Sequence, residues 1–310
     1  MGEFNMLVST PTELLSERYG REKTLRLIAD AGFDAYDMTL CDMAHPGCEF
    51  LGDDWRELAR HYRAVADELG LVCNQAHAPF PSSYEDGVAN ERRVELIERS
   101  MEIAAILGAK TIVVHPVQHL PYIRYIEPLK TFNKVFYSRL LKLAEKLDIT
   151  IATENMWQVM KMWMNGGWAN EDLYYNPIVD STCASAEEFA EYVDMMGNDR
   201  LVACLDLGHV ELVQRDLPHM IRTLGPRLQA LHVHDNDGKS DLHTFPFSRT
   251  GVVDFDAVTT ALAEIDYQGD ITFEANSFFL RVPEALVPSA LRYLCDIGRY
   301  LRDEIQRKKA

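Results

Sequence analysis

Short apolar runs alternate with amphipathic stretches along the whole chain, eight times over. The runs are Met6–Ser9, Phe33–Thr39, Leu71–His77, Lys110–His115, Ile149–Glu154, Leu201–Asp206, Leu228–His234 and Asp270–Glu274. They are short and in places almost wholly β-branched, as in Thr111-Ile112-Val113-Val114, so they read as strands. The stretches between them repeat apolar residues at helical spacing: Glu22–Ala31, Asp53–Leu69, Asn90–Leu107, Pro128–Leu147, Ala186–Met196, Leu217–Leu224, Phe255–Ile265 and Pro283–Gln306. The first three stop at Gly32, Gly70 and Gly108, the residue type that ends a helix in the left-handed conformation without a steric penalty. Nearly continuous apolar strands separated by helices call for a parallel sheet covered on both faces. Eight such units close into an α/β (β/α)8 (TIM) barrel with no linker and no second domain. An open doubly wound sheet would want fewer units and a Gly-rich first turn, and no GxGxxG follows a strand.

In such a barrel all strands run one way, so their C-terminal ends meet at one mouth. The third strand ends in His77 (QAHAPF), the fourth in His115 (VVHP), the fifth in Glu154 (ATENMW) and the sixth in Asp206, followed by His209 (CLDLGH). The seventh carries His232 and His234 and runs into a loop with Asp241 and His243 (LHVHDNDGKSDLH), and the eighth ends in Glu274 (FEAN). Singly, each has an ordinary role: a histidine before proline, as at His115, caps a loop, and a strand-end glutamate pairs with a lysine. Six consecutive strands ending this way imply more, because such groups packed together repel, shift their pKa values or share a cation. We expect a metal or catalytic centre at the mouth. Carboxylates and imidazoles without a thiolate suit one divalent cation, Mn2+ first, with Mg2+, Co2+ and Zn2+ also compatible. By strand alternation, His234 shares the face of His232 one layer further out, and Asp235 points away.

The 31 Lys and Arg against 48 Asp and Glu leave a net charge of −17. Gripping a nucleic-acid backbone needs local positive charge, and no basic run occurs before Arg307-Lys308-Lys309, so no nucleic-acid partner is expected and a small sugar-like substrate fits better. No Gly-rich phosphate cradle is visible, which favours an unphosphorylated sugar. No apolar run reaches the roughly 18 residues of a membrane span, so no membrane partner is expected. With no signal peptide visible and no CxxC pair among the six cysteines, a cytoplasmic location without disulfides is expected. Residues 1–5 have the composition of a tag remnant, leaving 6–310 as the barrel.

These motifs carry a resemblance. Through HAPF, VVHP, TEN, DLGH, HVHDNDGKSDLH and FEAN, the chain resembles the xylose isomerase-like TIM-barrel superfamily of sugar isomerases and epimerases, related to the abasic-site nucleases of the endonuclease IV class. The resemblance implies that Glu154, Asp206, His232 and Glu274 hold one divalent cation and that His209 contacts substrate. It also implies a proton shift beside a carbonyl through a metal-stabilised enediolate, with Glu154 and Glu274 as base and acid. His77, His115, Asp241 and His243 match further ligands of the nuclease branch and either hold a second cation or contact the sugar. His234 and Arg249 (FSRTG) are further candidates for substrate contact. The charge balance speaks against a DNA substrate.

One stretch exceeds a minimal barrel. Met156–Pro177 contains three of the four tryptophans, four methionines and two tyrosines, directly after Glu154. Such a stripe is ordinarily core. Its position makes it a lid, a subunit contact or a soft surface for an aromatic part of the substrate, with Trp157 the nearest contact. A soft aromatic surface suits a relative of the isomerase branch, the C-glycoside deglycosidases, lyases that work with a small partner subunit on 3-oxo-glycosides. A homo-oligomer is the default expectation otherwise.

Overall fold

The computed structural model describes residues 6–84, 86–159, 163–164, 167–168 and 178–309. Its principal sheet has eight parallel strands: β1 (Val8–Pro11), β2 (Ala35–Thr39), β3 (Val72–His77), β4 (Thr111–Val113), β5 (Thr150–Glu154), β6 (Leu201–Asp206), β7 (Leu228–His232) and β8 (Ile271–Thr272). Consecutive strands are neighbours from β1 to β7, and β8 pairs with β1. The remaining gap closes where Val233 N donates to Thr272 O (2.9 Å) and Glu274 N donates to Val233 O (3.1 Å). The fold is a closed (β/α)8 barrel.

Around it lie α1 (Glu13–Tyr19), α2 (Arg21–Ala31), α3 (Trp55–Leu69), α4 (Gly87–Leu107), α5 (Ile126–Leu147), α6 (Ala186–Asp194), α7 (Leu207–Leu212), α8 (Leu217–Leu224), α9 (Phe255–Glu264) and α10 (Val287–Lys309). The helices α2 and α3 end at Gly32 (φ 93°) and Gly70 (φ 70°), left-handed as the sequence requires. Two helices escape sequence reading, α1 and α7. Each is under two turns, too short to show a period, and α7 starts because the Asp206 side chain accepts from His209 N at 2.7 Å. The eighth strand is shorter than its apolar run because Asp270 acts through its side chain, accepting from Leu7 N at 2.9 Å. The final helix begins at Val287, after a single tight turn at Glu284–Leu286.

The main core lies between strands and helices, with Leu25, Ile28, Tyr137, Leu140, Leu291 and Leu294 fully buried. A second cluster is separate and made of small residues: Val113, Ala152, Val202, Cys204 and Ala230. Three of these stand two positions before Glu154, Asp206 and His232. Period-two alternation therefore places them on the same inward face, as the floor beneath the polar mouth. All six cysteines are free.

The inserted stretch opens and closes as a β-ladder rather than a helical stripe: Trp157–Val159 pairs antiparallel with Ile178–Asp180. Trp163–Met164 pairs with Gly167–Trp168. The rest of 160–177, and with it most of the lid or aromatic-surface expectation, lies outside the described residues. No helix among the described residues is long and apolar enough to cross a membrane.

Candidate metal centre

Parallel register brings the strand ends together. Asp206 stands beside His232, and Glu154 beside Cys204, two residues before Asp206. Glu274 joins them two residues past β8. One donor atom from each of Glu154, Asp206, His232 and Glu274 falls within 4.8 Å of all the others. His232 Nδ1 is 3.1 Å from Glu154 Oε2, 3.1 Å from Glu274 Oε2 and 3.8 Å from Asp206 Oδ2. Glu154 Oε2, His232 Nδ1 and Glu274 Oε2 are all buried with no hydrogen-bond partner. Buried polar atoms are normally satisfied. Three orphans converging on one point, in a set of hard oxygen and nitrogen donors, fit a shared divalent cation.

Surrounding residues hold these donors in place. The Asn155 side chain donates to Asp206 O (3.0 Å) and accepts from Asp206 N (2.8 Å), locking β5 to β6 at the site. His234 Nε2 donates to both oxygens of Asp206, at 2.9 and 3.0 Å. That bond requires a glycine at 208, since a Cβ there would lie 2.1 Å from His234 Cε1. The Gln75 amide bridges the Asp37 carboxylate (2.9 Å) and His232 at Nε2 (3.0 Å). His77 Nδ1 donates to Asp37 Oδ2 at 2.7 Å, and its ring stacks on His232 with centroids 4.5 Å apart. Such outer partners set ligand orientation and basicity.

The electrostatics are dominated by carboxylate excess. Burial pushes the Glu154 carboxyl up, but His232 and His115 outweigh it and hold Glu154 well below the usual range. Glu274 is held low in the same way, by His232 and His243 against burial. Burial would lower the His232 and His209 imidazoles. The surrounding groups win: Cys204, Glu154 and Glu274 raise His232, while Asp206, Asp241 and Glu154 raise His209. His243 is raised to about 10 by Glu274 and Asp241 against burial. Histidines lifted this far mark surplus negative charge, which a bound cation would neutralise while displacing their protons.

A cavity of about 580 Å³ opens above the donors. His77, His115, Trp157, His209, Asp241, His243 and Glu274 line it. His115 Nε2 lies 3.2 Å from Glu154 Oε2, and His209 Nδ1 donates to Asn155 O at 2.9 Å and lies 3.1 Å from Glu154 Oε1. Asp241 Oδ2 is 3.6 Å from His209 Nε2 and 3.1 Å from His243 Nε2. Glu274 opens on the cavity, with 19% of its side chain exposed, whereas Glu154 is 1% exposed and lies behind it.

Two of the expected substrate contacts stand apart from the cavity lining. His234 does not line the cavity: it is fully buried, its ring stacks on His243 at 4.2 Å, and its role is to hold Asp206. Arg249 is exposed and also outside the lining, because Asp235 Oδ1 accepts from Val252 N (2.9 Å) and Val253 N (3.2 Å) and ties that loop to the outside of the seventh strand's end. Sequence reading also missed Asp37 and Gln75. Their signal was present as polar residues inside otherwise apolar strands, where a polar side chain needs a buried partner.

A ketose 3-epimerase of Arthrobacter globiformis is 24% identical to this chain over 271 residues, 86% of this chain and 80% of that protein. The uncharacterised protein y4fM of Sinorhizobium fredii is 27% identical over 226 residues, 70% of this chain and 66% of that protein, just under two thirds of its length. Among solved structures, a D-tagatose 3-epimerase-like protein superposes with a TM-score of 0.72 at 21% identity, over 98% of this chain and 100% of that one. A 3-keto-D-glucoside 4-epimerase from E. coli superposes with a TM-score of 0.68 at 17% identity, over 96% and 100%. The family described as the xylose isomerase-like TIM barrel matches residues 25–297, nearly the whole barrel, and the chain belongs to that family.

Proposed function

We propose that this protein is a divalent-metal-dependent sugar epimerase or isomerase that moves a proton on a carbon next to a carbonyl. One observation carries the reading: the buried, partnerless atoms Glu154 Oε2, His232 Nδ1 and Glu274 Oε2 converge with Asp206 beneath an open cavity. The similarity to a ketose 3-epimerase and to the two epimerase structures supports the reaction class. Glu154, Asp206, His232 and Glu274 would hold the cation, Mn2+ first. When bound, it supplies positive charge beside the substrate carbonyl, lowering the cost of the charge that develops there.

The chain's own groups then divide the work. Glu274 is the carboxylate that reaches the cavity, so it is the base that takes the carbon-bound proton. The second proton-moving group is the Glu154–His209 pair. His209 faces the cavity, and Glu154 Oε1 and Asn155 O hold its Nδ1. Trp157, Met156 and Phe80 supply an apolar wall for the sugar.

The test compares chelated and Mn2+-loaded protein on a panel of ketoses, following uptake of solvent deuterium beside the carbonyl. Exchange should need metal, and Glu274→Gln should lower kcat by about 10²- to 10⁴-fold with little change in KM. Equal exchange by chelated and loaded protein sinks the reading.

A second reading rests on another group, His209, His234, Asp241 and His243, whose donors also lie within 4.8 Å of one another, with Asp241 Oδ1 buried and partnerless. It holds that Asp241 and His243 bind a second cation, as in the nuclease branch. Elemental analysis separates the two: one equivalent per chain for the isomerase reading, more for the second, which also predicts nicking of abasic duplex DNA.

A further inference from the structure

We infer that Glu13 and Asn276 form a pair of hydrogen-bond acceptors on the cavity wall that receives a substrate hydroxyl the cation does not hold, and so helps set which sugars are used. The inference rests on the reaction proposed above and adds two residues to its site.

Strand register builds the pair. Partners across β1 and β8 lie 263 positions apart: Leu7 N donates to the Asp270 side chain at 2.9 Å, and the Ser9 and Thr272 hydroxyls bond at 2.9 Å. The same offset continues beyond the strand ends, where the Asn276 side chain donates to Glu13 Oε2. Helix α1 is pinned to the loop after β8 a second time, by Arg18 donating to Val282 O at 2.7 Å. Asn276 stands two residues past Glu274, the proposed base, and both line the cavity with Glu13. Groups held this way are already in place when substrate arrives.

Hydrogen-bond accounting says what the pair can take. A carboxylate only accepts, so the amide nitrogen of Asn276 faces Glu13 and its oxygen, Oδ1, faces elsewhere. Neither Asn276 Oδ1 nor Glu13 Oε1 has a partner among the described residues. Neither is sealed from solvent, in contrast to Ser16 Oγ one turn further along α1. Two open acceptors on neighbouring side chains call for O–H donors, which a polyol presents and a phosphate or carboxylate does not. Burial and the charge of Glu274 push the Glu13 carboxyl up, and a hydroxyl donating to Oε1 would restore part of the stabilisation that lost water withdrew.

The experiment measures kcat/KM of the Mn2+-loaded full chain on D-fructose and its 1-, 4-, 5- and 6-deoxy analogues. At least one analogue should be used about 10- to 100-fold less well than D-fructose, the value of a hydrogen bond to a charged group. In Glu13→Ala, D-fructose should fall to the level of that analogue, while the analogue itself changes little. A merely structural role predicts that every sugar falls together and the ratio stays, which overturns the contact. Equal use of all five sugars by the parent overturns it too. Glu13→Gln keeps the size, loses the charge and should lower the same ratio. It carries the test if Glu13→Ala does not fold, and a Gln variant with the parent's ratio overturns the contact. If no sugar is turned over, the proposed reaction fails, and calorimetric Kd values for the same sugars judge the contact alone. A preference for D-fructose that the Glu13 variant abolishes upholds it; equal Kd values, or no binding, overturn it.

Discussion

The most exacting test of the site's architecture is Gly208→Ala, a change of one methyl group that touches no proposed ligand. On helix propensity alone the substitution stabilises, by about 1 kcal/mol, because position 208 lies inside α7. The site reverses that sign. The new Cβ would stand 2.1 Å from His234 Cε1 and 2.6 Å from Nε2, whereas ordinary contact begins near 3.4 Å. The ring must retreat by 3.4 − 2.1, about 1.3 Å. It is fully buried and stacked on His243 at 4.2 Å, so the retreat comes at the expense of packing or of the bonds from Nε2 to Asp206. Overpacking costs about 1–3 kcal/mol, and a lost hydrogen bond to a charged group about 1.5–3. Where both are lost, and after subtracting the propensity gain, a net destabilisation of about 1.5–5 kcal/mol is expected, read as a lower urea midpoint at unchanged slope. Mn2+ affinity should fall about 10- to 100-fold, because the partner that orients Asp206 has moved. In a His234→Ala background the same substitution should cost much less, a coupling of about 2 kcal/mol. A Gly208→Ala protein as stable as the parent, or one that loses as much stability in both backgrounds, refutes the reasoning.

Three further outcomes follow from the same geometry. Asn155→Ala leaves Asp206 N and O without the side chain that satisfies both, and should destabilise by about 2–4 kcal/mol in urea titrations while weakening Mn2+ binding. Adding Mn2+ at a hundred times its Kd should stabilise the chain by about 2.7 kcal/mol, seen as a rise in Tm that chelation reverses and the double variant Asp206→Asn, Glu274→Gln lacks. Burial raises the Glu188 carboxyl to about 7, against its bonds with Tyr122 and the Cys183 backbone. A folded pKa above the unfolded value gives stability that is complete below about 4.5 and lost as pH rises through about 7. Glu188→Gln should therefore flatten the fall in urea midpoint between pH 5 and pH 8, by on the order of 1–2 kcal/mol after solvent screening.

The barrel was legible because it depends on periodicity. Strands such as Leu201–Asp206 coincide with their apolar runs, and α8 begins and ends where its pattern does. Where boundaries slipped, a side chain had taken over a backbone role, as Asp270 does beside Leu7. The polar strand ends were legible for a related reason, but His77 also ends a strand, and it was the resemblance that singled out Glu154, Asp206, His232 and Glu274 as the proposed ligands. The residues that orient them were harder to see. Asp37 and Gln75 interrupt apolar strands, and a pattern search treats them as noise; only the assembled barrel shows that both serve His77 and His232.

The densest motif, LHVHDNDGKSDLH, shows where sequence reasoning reaches its limit and why. His232 and His234 are two residues apart, and alternation along a strand assigns them to one face. That inference holds only while the chain stays in the ladder. The seventh strand ends at His232, and Val233 makes a single bridge to Phe273 before the chain turns away. Beyond that point each polar residue answers to its nearest bonding partner. His234 holds Asp206, Asp235 gathers the backbone amides of Asn236, Val252 and Val253, and the Asn236 side chain donates to Gly208 O at 2.9 Å. Most of the motif is therefore scaffolding, and its open chemistry narrows to His232 in the proposed cation set and to Asp241 and His243 at the cavity. Those last two belong to a loop whose path Asp235 fixes from behind. Asp235→Asn would keep the shape and weaken the acceptor, so it should disturb the Asp241 and His243 side of the site while leaving the Glu154–Glu274 side intact. A metal count that falls from two to one in this variant would assign Asp241 and His243 to a second cation. An unchanged single equivalent with a raised KM would assign them to the sugar.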